Sequence, residues 1–182
     1  MRYLLLLLLV AWLAIAGSSR ADQTDPRLDF LFARLKEADA VEARIIESHI
    51  WTMWSAIDDP EARDLLERGS VAMANRDHKT ALAAFDALTA RFPNFAEGWN
   101  KRATLFWILG DDLAALRDIQ RTLALEPRHF GALSGLGLVL MRLNQPARAL
   151  AAFEAALAIH PNLPAARHQA ERLRRSANPG EL

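Results

Sequence analysis

Apolar side chains recur every three or four residues along most of the chain, which is the spacing of one face of an α-helix. The first clear case begins after Asp25 and consists of Leu28, Leu31, Phe32 and Leu35. Asp39 opens a capping-box sequence, and the apolar face that follows it consists of Ile46, Ile50, Met53, Trp54 and Ile57. The pattern therefore predicts a helical hairpin over residues 25–57.

A repeat of about 34 residues organises the rest of the chain. Four columns keep their chemical type at this period, namely Pro93, Pro127 and Pro161; Ala81, Ala115 and Ala149; Gly69, Ala103 and Gly137; and Phe85, Ile119 and Phe153. They define three units, 62–95, 96–129 and 130–163, and each unit divides into two amphipathic helices. At the turns between these helices we expect the left-handed conformation that ends a helix at Asn75, Gly110 and Asn144.

The residue types in these columns predict how the helices pack. The small residues of the Gly69 column let the two helices of a unit approach closely, and the large residues of the Phe85 column fill the space towards the next unit. One unit cannot bury its own apolar face, so the units stack into a right-handed α-solenoid, an all-α fold. We expect the hairpin segment, 22–61, to pack on the first unit as a cap or a degenerate fourth repeat. Residues 164–182 should form a capping helix with a frayed tail.

The columns resemble the tetratricopeptide repeat (TPR) motif. In the second unit its characteristic positions are held by Trp99, Ala103, Phe106, Gly110 and Pro127. The resemblance implies a non-catalytic module that binds a peptide or a partner domain on a concave surface formed by the first helices. The family's clamp for the acidic tails of chaperones is not expected, because only Lys101 fits among its five positions.

The resemblance also implies which residues contact a partner. In the second and third units these are Glu97, Asn100, Lys101, Thr104, Trp107, Ser134, Leu138, Met141 and Arg142. Asn100 can donate hydrogen bonds to a peptide backbone and accept them from it, and Lys101 favours a ligand with a carboxylate. Two placements of Trp107 stay open at this point: in the groove, or packed between helices.

Composition and charge argue against several functions. The 182 residues carry 22 basic and 22 acidic side chains, so no basic surface for nucleic acid is expected. The chain contains no cysteine, which leaves no disulfide and no cysteine metal site. Its five histidines are scattered and form no metal-binding or catalytic motif. We therefore expect no metal, no cofactor and no enzyme activity.

The first residues have the pattern of a secretory signal peptide. Arg2 precedes an uncharged run over residues 3–16, and a segment of small residues then leads to Asp22. The run is short for a membrane span, which takes about 20 residues. We expect cleavage after Ala21, with cleavage after Ala16 as the alternative, to release a periplasmic protein without a membrane attachment. An uncleaved anchor is the rival interpretation.

These features together favour a periplasmic scaffold or adaptor whose ligand is a protein or a peptide. Two other functions stay open: an assembly factor for cytochrome c or envelope complexes, and the non-catalytic or ligand-binding subunit of an enzyme or transporter. The fold alone does not select among them, because one fold carries many functions.

The first prediction concerns export. In the native host the periplasmic fraction should contain a chain that begins at Asp22, because Ser19 and Ala21 place small side chains at positions −3 and −1 of the cleavage site. N-terminal sequencing distinguishes this product from one cleaved after Ala16. A chain that begins at Met1 and fractionates with the inner membrane would establish the anchor instead.

Overall fold

The computed structural model describes residues 25–177; the predicted signal sequence and the last five residues of the chain lie outside this range. Within it the chain forms nine α-helices: α1 Arg27–Glu37, α2 Ala40–Ser55, α3 Pro60–Ala74, α4 His78–Arg91, α5 Ala96–Leu109, α6 Asp112–Leu125, α7 Phe130–Arg142, α8 Pro146–Ile159 and α9 Pro164–Ala177. The all-α helical-repeat fold is therefore confirmed. The pairs α3–α4, α5–α6 and α7–α8 are the predicted units, although α3 begins slightly before the predicted boundary at 62.

The turn inside each unit contains one residue with positive φ, and these residues keep the period of the sequence repeat: Arg76 (61°), Gly110 (86°) and Asn144 (54°). The prediction is confirmed for Gly110 and Asn144 and is wrong for Asn75, whose φ is −80°. In the first turn the N–H of Asp77 donates to the carbonyl of Ala72 at 2.9 Å, and the equivalent bond closes the other two turns. This bond ties the chain back to the helix it has just left.

Inside each unit the small column and the large column pack against each other, whereas the sequence predicted the large residues towards the next unit. A Cβ atom added at Gly137 would lie 2.5 Å from Cε1 of Phe153, which is too close for two carbon atoms, and the first unit repeats this arrangement. In the second unit the same two positions are Ala103 and Ile119, both buried. The smaller side chain of Ile119 leaves room for a methyl group where the phenylalanine leaves none.

Arg102 connects the first unit to the second. Its guanidinium group donates to both carboxylate oxygens of Asp118, at 2.7 and 2.9 Å, and to Asp86 of α4 at 2.8 Å. The same group lies 4.9 Å from the ring centre of Trp99. Because Arg102 and Asp118 are largely buried, these bonds compensate charges that are costly to remove from water.

The N-terminal hairpin forms as predicted but does not pack where predicted. Helix α2 lies against α5, and the apolar core of the hairpin includes Phe130 of α7. Two polar contacts fix the same arrangement: Arg128 Nη1 donates to Asp29 at 2.6 Å, and Asn162 Nδ2 donates to the carbonyl of Ala38 at 2.7 Å. The hairpin therefore lies along the edge of the groove of the second and third units, and it adds no fourth layer to the first.

Helix α9 covers the last unit of the stack. Its buried side chains, Ala166, Ala170 and Leu173, join the apolar core around Phe153. Its outer face carries exposed arginines such as Arg174 and Arg175. The helix thus caps the third unit as the sequence predicts.

The packing columns generate the second prediction. Gly137→Ala should destabilise the protein by about 1–3 kcal/mol, because the added methyl group collides with the Phe153 ring. Phe153→Ile alone should also destabilise it, through lost apolar burial. The double variant recreates the Ala103–Ile119 pair of the second unit, so we expect a favourable coupling of about 0.5–3 kcal/mol. Chemical denaturation of the four proteins measures this cycle.

Gly135→Ala in the same helix is the matched control. A Cβ atom at this position would lie 3.8 Å from Cδ1 of Ile119, an ordinary contact. The control should therefore be neutral or stabilising, by up to about 1 kcal/mol. Strict additivity of Gly137→Ala and Phe153→Ile would show that the two positions do not compete for the same space.

Candidate functional site

A pocket of about 280 Å³ lies between α5, α7 and α2. The predicted contact residues that line it are Asn100, Thr104, Trp107, Ser134 and Leu138. Much of the remaining wall is apolar and includes Ile119, Val139 and Leu163. The structure thus brings five of the nine predicted residues together at one site.

Glu97 is not the surface contact that we expected, because its side chain is fully buried. Its Oε2 atom accepts hydrogen bonds from Asn100 Nδ2 at 2.9 Å and from His129 Nε2 at 3.1 Å. Its Oε1 atom lies 3.2 Å from Lys101 Nζ. The amide of Asn100 is thereby held with Nδ2 directed at Glu97 and Oδ1 directed away from it. Glu97 therefore positions Asn100 of the pocket and is itself part of the core.

His129 determines where the proton of this network lies. Its Nδ1 accepts a hydrogen bond from the backbone N–H of Ala132 at 3.1 Å and so caps the N-terminus of α7. A ring nitrogen that accepts a hydrogen bond carries no proton, so the neutral imidazole bears its proton on Nε2 and donates it to Glu97. The buried ring also stacks on Trp54, with ring centres 4.1 Å apart.

Opposing effects act on the pKa of Glu97. Burial of the carboxyl group raises its pKa, whereas the hydrogen bond from His129, the positive charge of Lys101 and the hydrogen bond from Asn100 lower it. The stabilising partners outweigh the burial, so the pKa of Glu97 lies below its ordinary value. The buried carboxylate is therefore ionised at neutral pH.

Trp107 lies both in the groove and between helices, which are the two placements that the sequence left open. Its half-buried ring lines the pocket and also packs against the cluster that contains Ala103 and Ile119. Arg142 secures this end of α5, because its Nη1 donates to the carbonyl of Trp107 at 2.7 Å and its Nε donates to Asp112 at 3.1 Å. Trp107 is consequently part of the pocket wall and part of the core.

Three further predicted contact residues do not line the pocket. Lys101 is half-buried and pairs with Glu97. Met141 packs against the core of the third unit. Arg142 is held by Asp112 and by the end of α5. Contacts within the chain therefore hold these side chains away from the predicted site.

The sequence analysis missed the wall that α2 contributes. Glu47 and Trp51 line the pocket, and a Cβ atom at Gly131 would lie 2.6 Å from Cη2 of Trp51. A glycine inside a predicted helix is a sequence signal for the close approach of another element. Gly131 carries that signal, but it does not identify the element that approaches.

Two features of the described residues bear on other kinds of function. Among residues 25–177, no group of three or more histidine, aspartate or glutamate side chains is placed to hold a metal ion. No helix in the same range is long and apolar enough to cross a lipid bilayer. The expectations that the protein binds no metal and has no enzyme activity stay predictions.

Helix pairs that recur at a constant period around a groove define a helical-repeat protein. Comparison with known proteins identifies the family of helical repeats. The chain belongs to the tetratricopeptide repeat family, whose model matches residues 66–118 and 113–164. A TPR repeat-containing protein of Rhizobium etli is 36% identical over 136 residues, which are 74% of this chain and 67% of the relative.

More distant similarity extends to eukaryotic proteins. Small glutamine-rich tetratricopeptide repeat-containing protein 2 of Saccharomyces cerevisiae is 28% identical over 123 residues, which are 68% of this chain and 34% of the relative. The chain therefore spans about a third of that relative's length. The first TPR domain of Spaghetti (RPAP3), solved with the HSP90 peptide SRMEEVD, matches with a TM-score of 0.63 at 20% identity. The match covers 66% of this chain and 95% of that domain.

The buried network generates the third prediction. Because the folded state lowers the pKa of Glu97, its ionisation stabilises the fold above the ordinary glutamate pKa, and this contribution is lost as pH falls through the lowered pKa. Glu97→Gln should remove this part of the acid dependence. Near neutral pH it should cost about 1–3 kcal/mol, because His129 and Lys101 lose a charged partner. Urea denaturation from neutral to acid pH measures both effects.

Glu154→Gln serves as the control, since Glu154 is an exposed carboxylate that pairs with exposed Arg174. Its replacement should change stability by less than about 0.5 kcal/mol. If Glu97→Gln lost stability in acid as steeply as the wild type, Glu97 would not be the group responsible.

Proposed function

We propose that the protein is a non-catalytic adaptor that binds a peptide or a partner domain through the pocket between α5, α7 and α2. Asn100 carries this proposal, because a buried carboxylate fixes its amide at the wall of a largely apolar pocket. Apolar walls with a few oriented polar groups are typical of ligand sites. The peptide bound to the TPR domain of Spaghetti supports a polypeptide as the class of ligand.

The polar groups of the pocket suit the backbone of a polypeptide. Asn100 Oδ1 points away from Glu97 and can accept a hydrogen bond from a peptide N–H. The hydroxyl group of Thr104 donates to the carbonyl of Asn100 at 3.0 Å and keeps its acceptor capacity. Ser134 on the facing helix can donate or accept. Donors and acceptors of a bound backbone therefore find partners on both helices.

The volume of the pocket limits the size of the group that it can hold. Its volume of about 280 Å³ lies just below the range of roughly 300–1,000 Å³ that is typical of small-molecule sites. Such a space suits a single side chain of a larger partner.

An assembly factor for cytochrome c or envelope complexes would be one form of this adaptor, and a ligand-binding subunit of an enzyme or transporter is the second candidate.

We place this function in the periplasm because residues 1–21 have the pattern of a signal peptide. Cleavage after Ala21 would remove no residue of the described helices, which begin at Arg27. The exported chain would thus keep the complete pocket and the α2 wall.

The fourth prediction tests the pocket as the binding site. Thr104 is exposed at the pocket, so Thr104→Arg should fill the opening and weaken partner binding about tenfold or more, which corresponds to about 1.4 kcal/mol. We avoid Trp107→Ala because that ring is also part of the core. The partner is first captured from a periplasmic extract of the native host and identified by mass spectrometry. Calorimetry with the purified partner then measures the affinities.

Gln120→Arg is the control. It makes the same change of charge at an exposed position of α6, and it should leave the affinity unchanged. Circular dichroism and melting temperature verify that both variants fold. A folded Thr104→Arg protein that binds its partner with wild-type affinity would place the binding surface elsewhere. Capture of a small molecule, with no protein, would favour the ligand-binding subunit.

A further inference from the structure

A single charged side chain lines the pocket among the residues that the structure describes, and it is the carboxylate of Glu47 on α2. One of its oxygens accepts a hydrogen bond from Trp51 Nε1 at 3.2 Å, and the other lies 3.2 Å from Nε2 of buried His160. The Glu47 side chain keeps 29% of its surface exposed. Because each carboxylate oxygen has more than one lone pair, both retain the capacity to accept a bond from a ligand.

The two partners of Glu47 do not neutralise its charge. The Nδ1 atom of His160 is buried and has no hydrogen-bond partner. A proton on this atom would be a buried donor without an acceptor, which is costly. The imidazole is therefore neutral, with its proton on Nε2, and the indole of Trp51 is neutral as well. Glu47 thus brings a negative charge to the wall of the pocket.

The basic residues of the repeats near the pocket are already paired. Lys101 lies 3.2 Å from buried Glu97, and Arg142 lies 2.9 Å from Asp112. Neither basic side chain lines the pocket. Their charges are compensated within the second and third units, so they do not offset the charge of Glu47.

Two arginines border the neighbouring cavity, Arg44 and Arg167, and neither lines the pocket. Both are exposed, so water and salt screen their charges. Arg167 also donates to the carbonyl of Pro161, and Glu171 lies in the same cavity. The charge that a ligand meets inside the pocket is therefore that of Glu47.

The other polar groups of the pocket offer mainly acceptors. Asn100 is only 8% exposed, and because its Nδ2 donates to Glu97, its Oδ1 is the atom left for a ligand. The hydroxyl proton of Thr104 is donated to the carbonyl of Asn100, so its oxygen is left to accept. The indole N–H of Trp51 is already bound to Glu47. A ligand in this pocket must therefore supply the donors.

The apolar part of the wall restricts which donor-rich group fits. Leu138, Val139 and Leu163 line the pocket together with the indole rings of Trp51 and Trp107. Lysine and arginine side chains combine an apolar stem with a cationic head that only donates. Aromatic walls also stabilise a cation that lies against them. A basic side chain thus matches the charge, the acceptors and the apolar walls of a space of about 280 Å³.

We propose that the pocket binds a lysine or arginine side chain of the partner, with its stem against the apolar walls and its head at Glu47. This inference rests on the proposed function and adds the chemistry of the recognised residue. It makes α2 part of the binding surface, because α2 supplies the charge that selects the ligand. The sign is opposite to the one that Lys101 suggested from the sequence, since Lys101 is held by Glu97.

Three N-acetylated tripeptide amides, Ala-Xaa-Ala with lysine, norleucine or glutamate in the middle, test the chemistry. The lysine peptide should bind about fivefold tighter than the norleucine peptide, which keeps an apolar stem and lacks the charge. The glutamate peptide should bind most weakly. Titrations followed by NMR, with the indole N–H signals of Trp51 and Trp107 as reporters, give the affinities. Norleucine binding as tightly as lysine would overturn the proposal.

Glu47→Gln tests the selecting charge, because it removes the charge and keeps the shape of the side chain. It should abolish the preference for lysine over norleucine. Glu42→Gln makes the same change on the same helix and is the matched control, since Glu42 pairs with Arg34 and does not line the pocket. The control should keep the fivefold preference. Equal preferences in the two variants would show that Glu47 does not select the ligand.

Thr104→Glu and Thr104→Gln keep the proposal testable even if Glu47→Gln disturbs Trp51 and the hairpin. Thr104 is exposed at the pocket, and the two variants differ only in charge. The lysine peptide should bind Thr104→Glu about two- to fivefold tighter than Thr104→Gln, and the norleucine peptide should not distinguish them. No difference for the lysine peptide would place its head group outside the pocket.

A free amine separates a partner's side chain from a small cationic ligand. 1-Butylamine carries the stem and the head group of lysine without a backbone for Asn100 and Ser134 to bind, so it should bind about tenfold more weakly than the lysine peptide. Equal binding would overturn the assignment to a polypeptide. If Thr104→Arg loses the natural partner while the lysine and norleucine peptides bind equally, the adaptor function stands and this inference fails.

Discussion

His129 contacts three separate parts of the fold at once. Its Nδ1 caps α7, its Nε2 donates to Glu97 of α5, and its ring stacks on Trp54 of α2. A buried carboxylate without partners costs several kcal/mol, so Glu97 is stable in this place only when the imidazole and Lys101 are present. The second unit, the third unit and the hairpin therefore depend on one another.

This mutual dependence distinguishes the chain from a simple stack. In a repeat protein each unit contacts only its neighbours, and stability is close to a sum of local terms. Here the hairpin, which begins the described chain, is connected to the second and third units by Arg128–Asp29, by Glu47–His160 and by the aromatic cluster around Phe130. Such long-range contacts join the N-terminal hairpin to the second and third units, and they hold the wall of the pocket in place.

The constant period of the repeat accounts for how much could be predicted. It predicted a column of small residues where the two helices of a unit approach closely and a column of large residues that fills space between helices. The structure adds that the two columns meet, with Gly137 against Phe153 and Ala103 in one cluster with Ile119. The prediction for the first turn, Asn75, was wrong for a physical reason. We expected Asn75 in the left-handed conformation because asparagine favours it, whereas the period itself points to Arg76, one repeat before Gly110. The closing hydrogen bonds of the turn outweigh the preference of the single residue.

The placement of the hairpin could not be predicted in the same way. An amphipathic pattern shows that one face of α2 is buried, but it does not show what covers that face. The answer depends on contacts between residues far apart in the chain, such as Trp51 with Gly131. The burial of Glu97 likewise depends on His129, which lies 32 residues further along the chain and caps α7. Family resemblance selected Asn100 and Leu138, which line the pocket, and also Glu97, which is buried. The sequence could not separate them, because only a tertiary partner turns a groove position into a core position.

The pairing of Lys101 with buried Glu97 changes the electrostatic argument for the ligand. From the sequence, Lys101 was the group expected to attract a carboxylate; in the structure its charge already neutralises Glu97 at 3.2 Å. Next to the pocket the flanking helices carry two arginines and two glutamates, namely Arg44, Arg167, Glu47 and Glu171, so they add no net positive charge. The repeats thus supply two walls of the pocket and the oriented amide of Asn100, while α2 supplies the third wall. Helix α2, which precedes the three repeats, therefore adds to the pocket a wall that the repeat motif does not specify.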